Sequence, residues 1–362
     1  MLGEHHEEFF MIEELMGSRW GGYMVMAVLL GGVALLLRFL YGPHGILRDP
    51  RWDEENRRIR AEEEAERQAR KERFQLDMQY PPARDISLSP ERLLSFDEHC
   101  SLFRSYAANF ITNRTEDAPI RLKEAHSLRV YTHVENIVRT EHLPDDIARA
   151  GLLAGLYHDC GRFPQFCQYR TFVDAASVNH AHLSLKVLKK KGFLIGETPR
   201  VRALAQTAVL LHNRSVLPER LTPDARLVTD MVRDADKLDI ISIMVAHFEQ
   251  ALPENDAVFL HVQNRPEACS PTVIRDVLAG RVVSYRDLHY VNDFRLLLGT
   301  WAHELRFPIT RKMLRASGHL EKVFSGLPDT PEIRASVAFL RGVLNEAPQE
   351  TAVSGGSRRV SR

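Results

Sequence analysis

Six residues stand out in chain order for what their side chains could do together: His126, His158, Asp159, His180, His212 and Asp236, separated by 32, 22, 32 and 24 residues when counted from His158 in the adjacent pair. Imidazole and carboxylate are metal ligands and proton carriers. Each of the six lies in or beside an apolar stretch, and burying such groups is costly unless something pairs with them. A divalent metal is the simplest partner, and this mixture of nitrogen and oxygen donors suits Mn, Fe, Co, Ni, Zn or Mg. His158 and Asp159 are neighbours, so on a helix they point about 100° apart. They still converge on one cluster if His158 reaches one metal while the Asp159 carboxylate bridges to a second. Asp236 sits in RDADKLDII, an unusual run of acids embedded among apolar residues.

The elements that must hold these groups read as helices. ERLLSFDEHCSLFRSYAANF, HSLRVYTHVENIV, ARAGLLAGLYHD, LSLKVLKK, VRALAQTAVLLH and IISIMVAHFEQAL carry apolar residues at steps of three and four. Strand-like alternation is scarce, so residues 86–346 are expected to form an all-α domain. The 44% hydrophobic content suits a sizeable core, and the zero formal net charge predicts no nucleic-acid partner. The four cysteines (Cys100, Cys160, Cys167 and Cys269) form no CxxC pair and read as free thiols in a reducing compartment.

The front of the chain is different. An acidic segment, residues 1–19, precedes WGGYMVMAVLLGGVALLL, Trp20 to Leu37, which is 18 residues without a charge. A helix of that length spans roughly 27 Å, and continuing to Tyr41 matches a bilayer core of roughly 30 Å. Residues 20–41 are therefore expected to be a single transmembrane anchor. Arg38, Arg48, Arg51, Arg57, Arg58 and Arg60 follow it, while only Arg19 precedes it, so the C-terminal side is expected in the cytoplasm, off the inner membrane. Residues 42–85 form a charged linker with pairs such as Glu66 and Arg70 at helical spacing, ended by YPPARD. This helix offers a route to a homodimer, although it lacks a sustained apolar seam. The tail, residues 347–362, is small and polar and is expected to be disordered.

The local contexts of the six residues carry a resemblance. AHSLRV, LYHDCGRF and RDADKLD reproduce, in order, the H…HD…D signature of the HD superfamily of metal-dependent phosphohydrolases. YHDCGR matches the family's habit of placing an apolar residue, Gly and Lys or Arg after the pair. SVNHAHLS and LLHNRS resemble the subset that binds two metals, and the stretch from about 122 to 330 looks like a bacterial group of HD proteins. His180 and His182 are two apart and cannot share a helix face; the resemblance selects His180.

What the resemblance implies is a phosphohydrolase or phosphodiesterase acting on a nucleotide or other small phosphate ester. His126, His158, Asp159 and Asp236 would hold one metal, and Asp159, His180 and His212 a second. Asp159 and Arg162 are the candidate catalytic residues. Arg162 could touch a substrate phosphate through its planar guanidinium, and Asn213, Arg214 and Lys237 adjoin ligands as further substrate-binding candidates. Two rival readings stand beside it. The same ligand set resembles a di-iron oxygenase branch related to inositol oxygenase, and a membrane-tethered scaffold without catalysis would need a lost ligand, which is not evident. His133, His142, His247, His261, His289, His303 and His319 read as core or surface histidines.

Overall fold

The computed structural model describes residues 88–111, 117–250 and 262–345, with positions 33, 54, 57, 58, 61 and 65 before them. The transmembrane anchor at 20–41, nearly all of the linker and the C-terminal tail lie outside the described residues. Among those described, no helix is long and apolar enough to cross a membrane. The described residues from 88 onward belong to one compact unit, Arg70–Arg362.

That unit is helical. The site-bearing part is built from α1 (Phe96–Ala108), α2 (Ala118–Glu141), α3 (Asp145–Tyr157), α4 (Arg162–Tyr169), α5 (His180–Lys191), α6 (Pro199–Leu211) and α7 (Pro223–Gln250). It is followed by α8 (Pro271–Leu278), α9 (Val291–Thr300), α10 (Pro308–Ser317), α11 (His319–Phe324) and α12 (Pro331–Asn345). Beyond the helices, an isolated bridge joins Gln263 to Tyr290. Local chemistry sets the helix starts. Thr198, Thr222 and Thr330 each precede a proline, and each hydroxyl accepts from the backbone N–H three residues on. The threonine satisfies an orphan donor, and the proline supplies a preset φ where its missing N–H costs nothing.

Two apolar cores share α7. Ala225, Val228, Met231 and Val232, on its first half, pack into the core formed by α1 to α6. Leu238, Ile241, Met244 and Val245, on its second half, pack into the core of α8 to α12. The acid-rich run RDADKLD falls at the changeover, so each acid meets a different environment. Asp234 turns to the loop before α10, where its buried carboxylate accepts from the N–H groups of Arg306 and Phe307 and from the Thr310 hydroxyl. Asp234→Ala leaves those buried donors unpaired and is expected to cost about 3 kcal/mol, read as a lower denaturation midpoint, with the metal content of the native protein unchanged.

An aromatic cluster supports the segment that carries the His158–Asp159 pair. Phe103 and Tyr106 from α1 pack edge-on against Phe163, with ring centroids 5.8 and 5.6 Å apart. The Tyr106 hydroxyl donates to the carbonyl of Cys160 at 3.1 Å. The core thus clamps the turn directly behind the ligands. Cys100, Cys160 and Cys269 are free thiols.

Candidate metal centre

Five helices deliver the six residues, three of them from helix ends. His126 projects from the middle of α2 and Asp236 from the middle of α7. Helix α3 stops at Tyr157, so His158 is its C-cap and Asp159 lies in the following turn. This differs from a pair riding on a helix; leaving the helix frees the two side chains from the fixed 100° separation. His180 is the first residue of α5, and His212 is the C-cap of α6.

The rings share one orientation, forced by what each Nδ1 faces. In the two C-cap histidines it donates to a carbonyl of the last helical turn, His158 to Gly155 and His212 to Val209, both at 2.8 Å. His126 Nδ1 donates to Asp239 at 2.7 Å and His180 Nδ1 to Asp174 at 2.7 Å. A carbonyl or ionised carboxylate can only accept, so each Nδ1 carries the hydrogen, and in the neutral ring Nε2 keeps the lone pair. All four Nε2 atoms point inward. Those of His126 and His158 stand 3.2 Å apart, and those of His180 and His212 stand 3.1 Å apart. Two pairs of facing Nε2 atoms, in rings buried to 7% exposure or less, are placed so that a cation could lie between them.

Asp159 lies between the pairs. Its Oδ2 is 3.6 and 3.7 Å from Nε2 of His126 and His158. Its Oδ1 is 3.6 and 3.8 Å from Nε2 of His180 and His212. Oδ1 is buried and makes no hydrogen bond. Asp236 Oδ1 completes the first group, 3.1 Å from His126 Nε2 and 3.6 Å from His158 Nε2. The donor atoms form overlapping sets close enough to hold ions: His126, His158 and Asp159; His158, His212 and Asp236; Asp159, His180 and His212. An orphaned carboxylate oxygen, converging lone pairs and an N/O donor set all fit divalent metals.

The charge states agree. Burial works against the Asp159 carboxylate, yet Lys123, His158, Arg162 and His180 outweigh it and hold the group well below the usual range. Asp236 is likewise held well below that range despite burial, through its contacts with His126 and His158. Burial, followed by the neighbouring imidazoles of His158 and His180, drives His212 down to about 3. Both carboxylates and this imidazole are therefore free of protons near neutrality, as ligands must be.

A supporting layer escaped the sequence. Asp239, fully buried, orients His126 and is itself held by Arg129 at 2.6 Å. Asp174, in a short turn before α5, orients His180. Although partly desolvated, its carboxyl is pulled down to about 2 by His180 and Arg162. Lys123 donates to Asp159 Oδ2 at 2.6 Å. The signal for Asp239 was in view, since RDADKLD holds three acids with three different directions on α7.

The other candidates have mixed surroundings. Arg162 Nη1 donates to Gln165, to the Phe172 carbonyl and to Asp174, while its Nε faces Asp159 Oδ1 at 3.5 Å. Asn213 reaches Asp174 at 3.4 Å. Lys237 pairs with Glu304 at 3.4 Å. Arg214 is exposed, and its carbonyl accepts from Arg233. His182 is exposed, on a different face of α5 from buried His180.

Gly161 explains the glycine after the pair. Its backbone is ordinary, with φ of −73°, but a Cβ there would lie 2.4 Å from Ser184 N and 2.8 Å from the His180 carbonyl. Its own N–H donates to the Ser184 hydroxyl at 2.9 Å. Only glycine lets the turn bearing Asp159 touch the helix bearing His180. Gly161→Ala is expected to cost about 1–3 kcal/mol and to lower the affinity for a second equivalent of metal more than for the first, by metal titration.

The helical fold brings the His/Asp side chains into groups that could hold metal ions. The family model for the HD domain matches residues 124–251, and this match supports membership of the HD superfamily, a family of generally metal-dependent hydrolases whose domains bind divalent metals. No curated protein and no solved structure matches the chain.

Proposed function

We propose that this chain is a two-metal phosphohydrolase or phosphodiesterase acting on a small phosphate ester, with a nucleotide as the substrate class suggested by analogy within the superfamily. The observation that carries it is the pair of facing Nε2 couples on opposite oxygens of one carboxylate. His126, His158, Asp159 and Asp236 would hold one metal, and Asp159, His180 and His212 the other. Bound divalent metals lower the pKa of water and neutralise charge on a phosphoryl group. The chain's own part is to keep the ligands deprotonated and aimed: Asp239, Asp174 and two backbone carbonyls fix the four rings.

The site opens beside Asp236, whose side chain is 19% exposed against 3% for Asp159. Lys123 and Arg162 lie beside Asp159, and Lys237 follows Asp236 in the chain and pairs with Glu304, with side-chain exposures of 16%, 13% and 11%. Cations at the rim support an anionic substrate, and this favours phosphate chemistry over an oxygenase working on a neutral polyol. Metal analysis of purified protein, followed by a hydrolysis screen over nucleotides, cyclic nucleotides and simple phosphate esters, tests the reading. Two metals per chain with release of phosphate or nucleotide is the expected result. Iron-dependent oxygen consumption without hydrolysis would overturn it.

We propose too that residues 20–41 tether this domain to the inner membrane on its cytoplasmic side, on the strength of the uncharged run and its flanking arginines. Full-length protein is expected to resist carbonate and to require detergent. Its release by carbonate alone would remove the anchor.

A further inference from the structure

Lys123 lies one turn before His126 on α2, and its ammonium sits at the rim of the centre, 2.6 Å from Asp159 Oδ2 with the side chain 16% exposed. The ring of Phe172 lies beside it, with its centroid 5.6 Å from Lys123 Nζ. The same ring centroid is 5.6 Å from Arg162 Cζ. One aromatic ring thus holds two cations against opposite oxygens of a single carboxylate. The two cations are not equivalent. Arg162 Nη1 is committed to Gln165, Phe172 and Asp174. Among the described residues, Lys123 makes one hydrogen bond, to Asp159, and an ammonium has three protons to give. Two are left for a ligand arriving at the open side.

We propose that Lys123 is a substrate-binding residue whose ammonium hydrogen-bonds a non-bridging oxygen of the phosphoryl group, with Phe172 holding it in place and Arg162 remaining fixed to Asp174. The inference rests on the phosphohydrolase reading and deepens it. It assigns the phosphate contact to a residue just before the stretch matched by the family model, which starts at 124.

The test uses full-length, metal-loaded protein, with inorganic phosphate as the probe in titration calorimetry and metal content measured on the same samples. Lys123→Ala and Lys123→Gln are expected to keep wild-type metal content and to bind phosphate about 10- to 100-fold more weakly, the scale of one charge-assisted hydrogen bond. Lys123→Arg, which keeps the charge, should recover most of the affinity. Phe172→Leu should weaken it a few-fold. Unchanged phosphate binding in both Lys123→Ala and Lys123→Gln overturns the proposal. So does loss of metal in both, which would make Lys123 a support for Asp159. Wild-type protein that holds metal but binds no phosphate would instead bring down the phosphohydrolase reading, and this inference with it.

Discussion

Asp159→Ala is expected to strip both metals from the protein and to reduce hydrolysis by at least ~10³-fold, the scale seen when a principal charge-stabilising group is removed. The reason is its position. No other side chain in the cluster offers one oxygen to each imidazole pair, Oδ2 to His126 and His158 and Oδ1 to His180 and His212. Without it, each would-be metal loses a negative ligand, and the two facing Nε2 couples lose the charge between them. The half-buried Lys123 ammonium also loses its partner. Asp159→Asn separates charge from shape: it keeps an oxygen donor but halves the bridge, so partial retention of one metal is expected. Elemental analysis of both purified variants decides the matter, and an Asp159→Ala protein with full metal content would remove this residue from the bridging role.

The second large effect is expected from His180→Ala. His180 and His212 face each other 3.1 Å apart on the Oδ1 side of Asp159. Removing His180 takes away one of three donors of that group and leaves the His126, His158, Asp159 and Asp236 group intact. About one metal per chain should remain, and the rate should fall roughly 10²- to 10³-fold as half of the phosphoryl clamp is lost. His182→Ala is the matched control, since that side chain is exposed on another face of the same helix. Both variants keep the N-cap bond from His182 N to Asn179, so helix stability is not the variable. Activity that survives His180→Ala but not His182→Ala would shift the ligand assignment by one register of α5. Full activity in both would reduce the site to one metal.

The candidate ligand positions were legible in the sequence for a definite physical reason. Helical periodicity marked the segments, and polar residues set into apolar runs marked the places where burial demanded a partner. His126, His158, Asp159, His212 and Asp236 could thus be named as candidates before any fold was known, and the resemblance chose His180 over His182. The same reasoning saw the acids of RDADKLD but could not divide their labour. Asp234, Asp236 and Asp239 lie within six residues, yet one holds the loop before α10, one faces the imidazoles and one orients His126. Helix phase separates their directions, but only the neighbours packed around α7 say what each direction meets. Arg162 looked like the free cation from its place after the pair. The turn containing Asp174 ties it down, and Lys123 holds a single bond instead.

The sequence by itself, then, determined an all-α domain, because residue type and periodicity are local properties, while the HD reading and the candidate donor set came from the resemblance of its motifs. Tertiary structure decided the rest. The end of α3 at Tyr157 swings His158 and Asp159 off the helix, and the missing Cβ of Gly161 lets their turn close onto α5. These contacts put one oxygen of Asp159 before each histidine pair. A bridge between two pairs depends on distances across four helices, and no spacing along the chain encodes those distances directly.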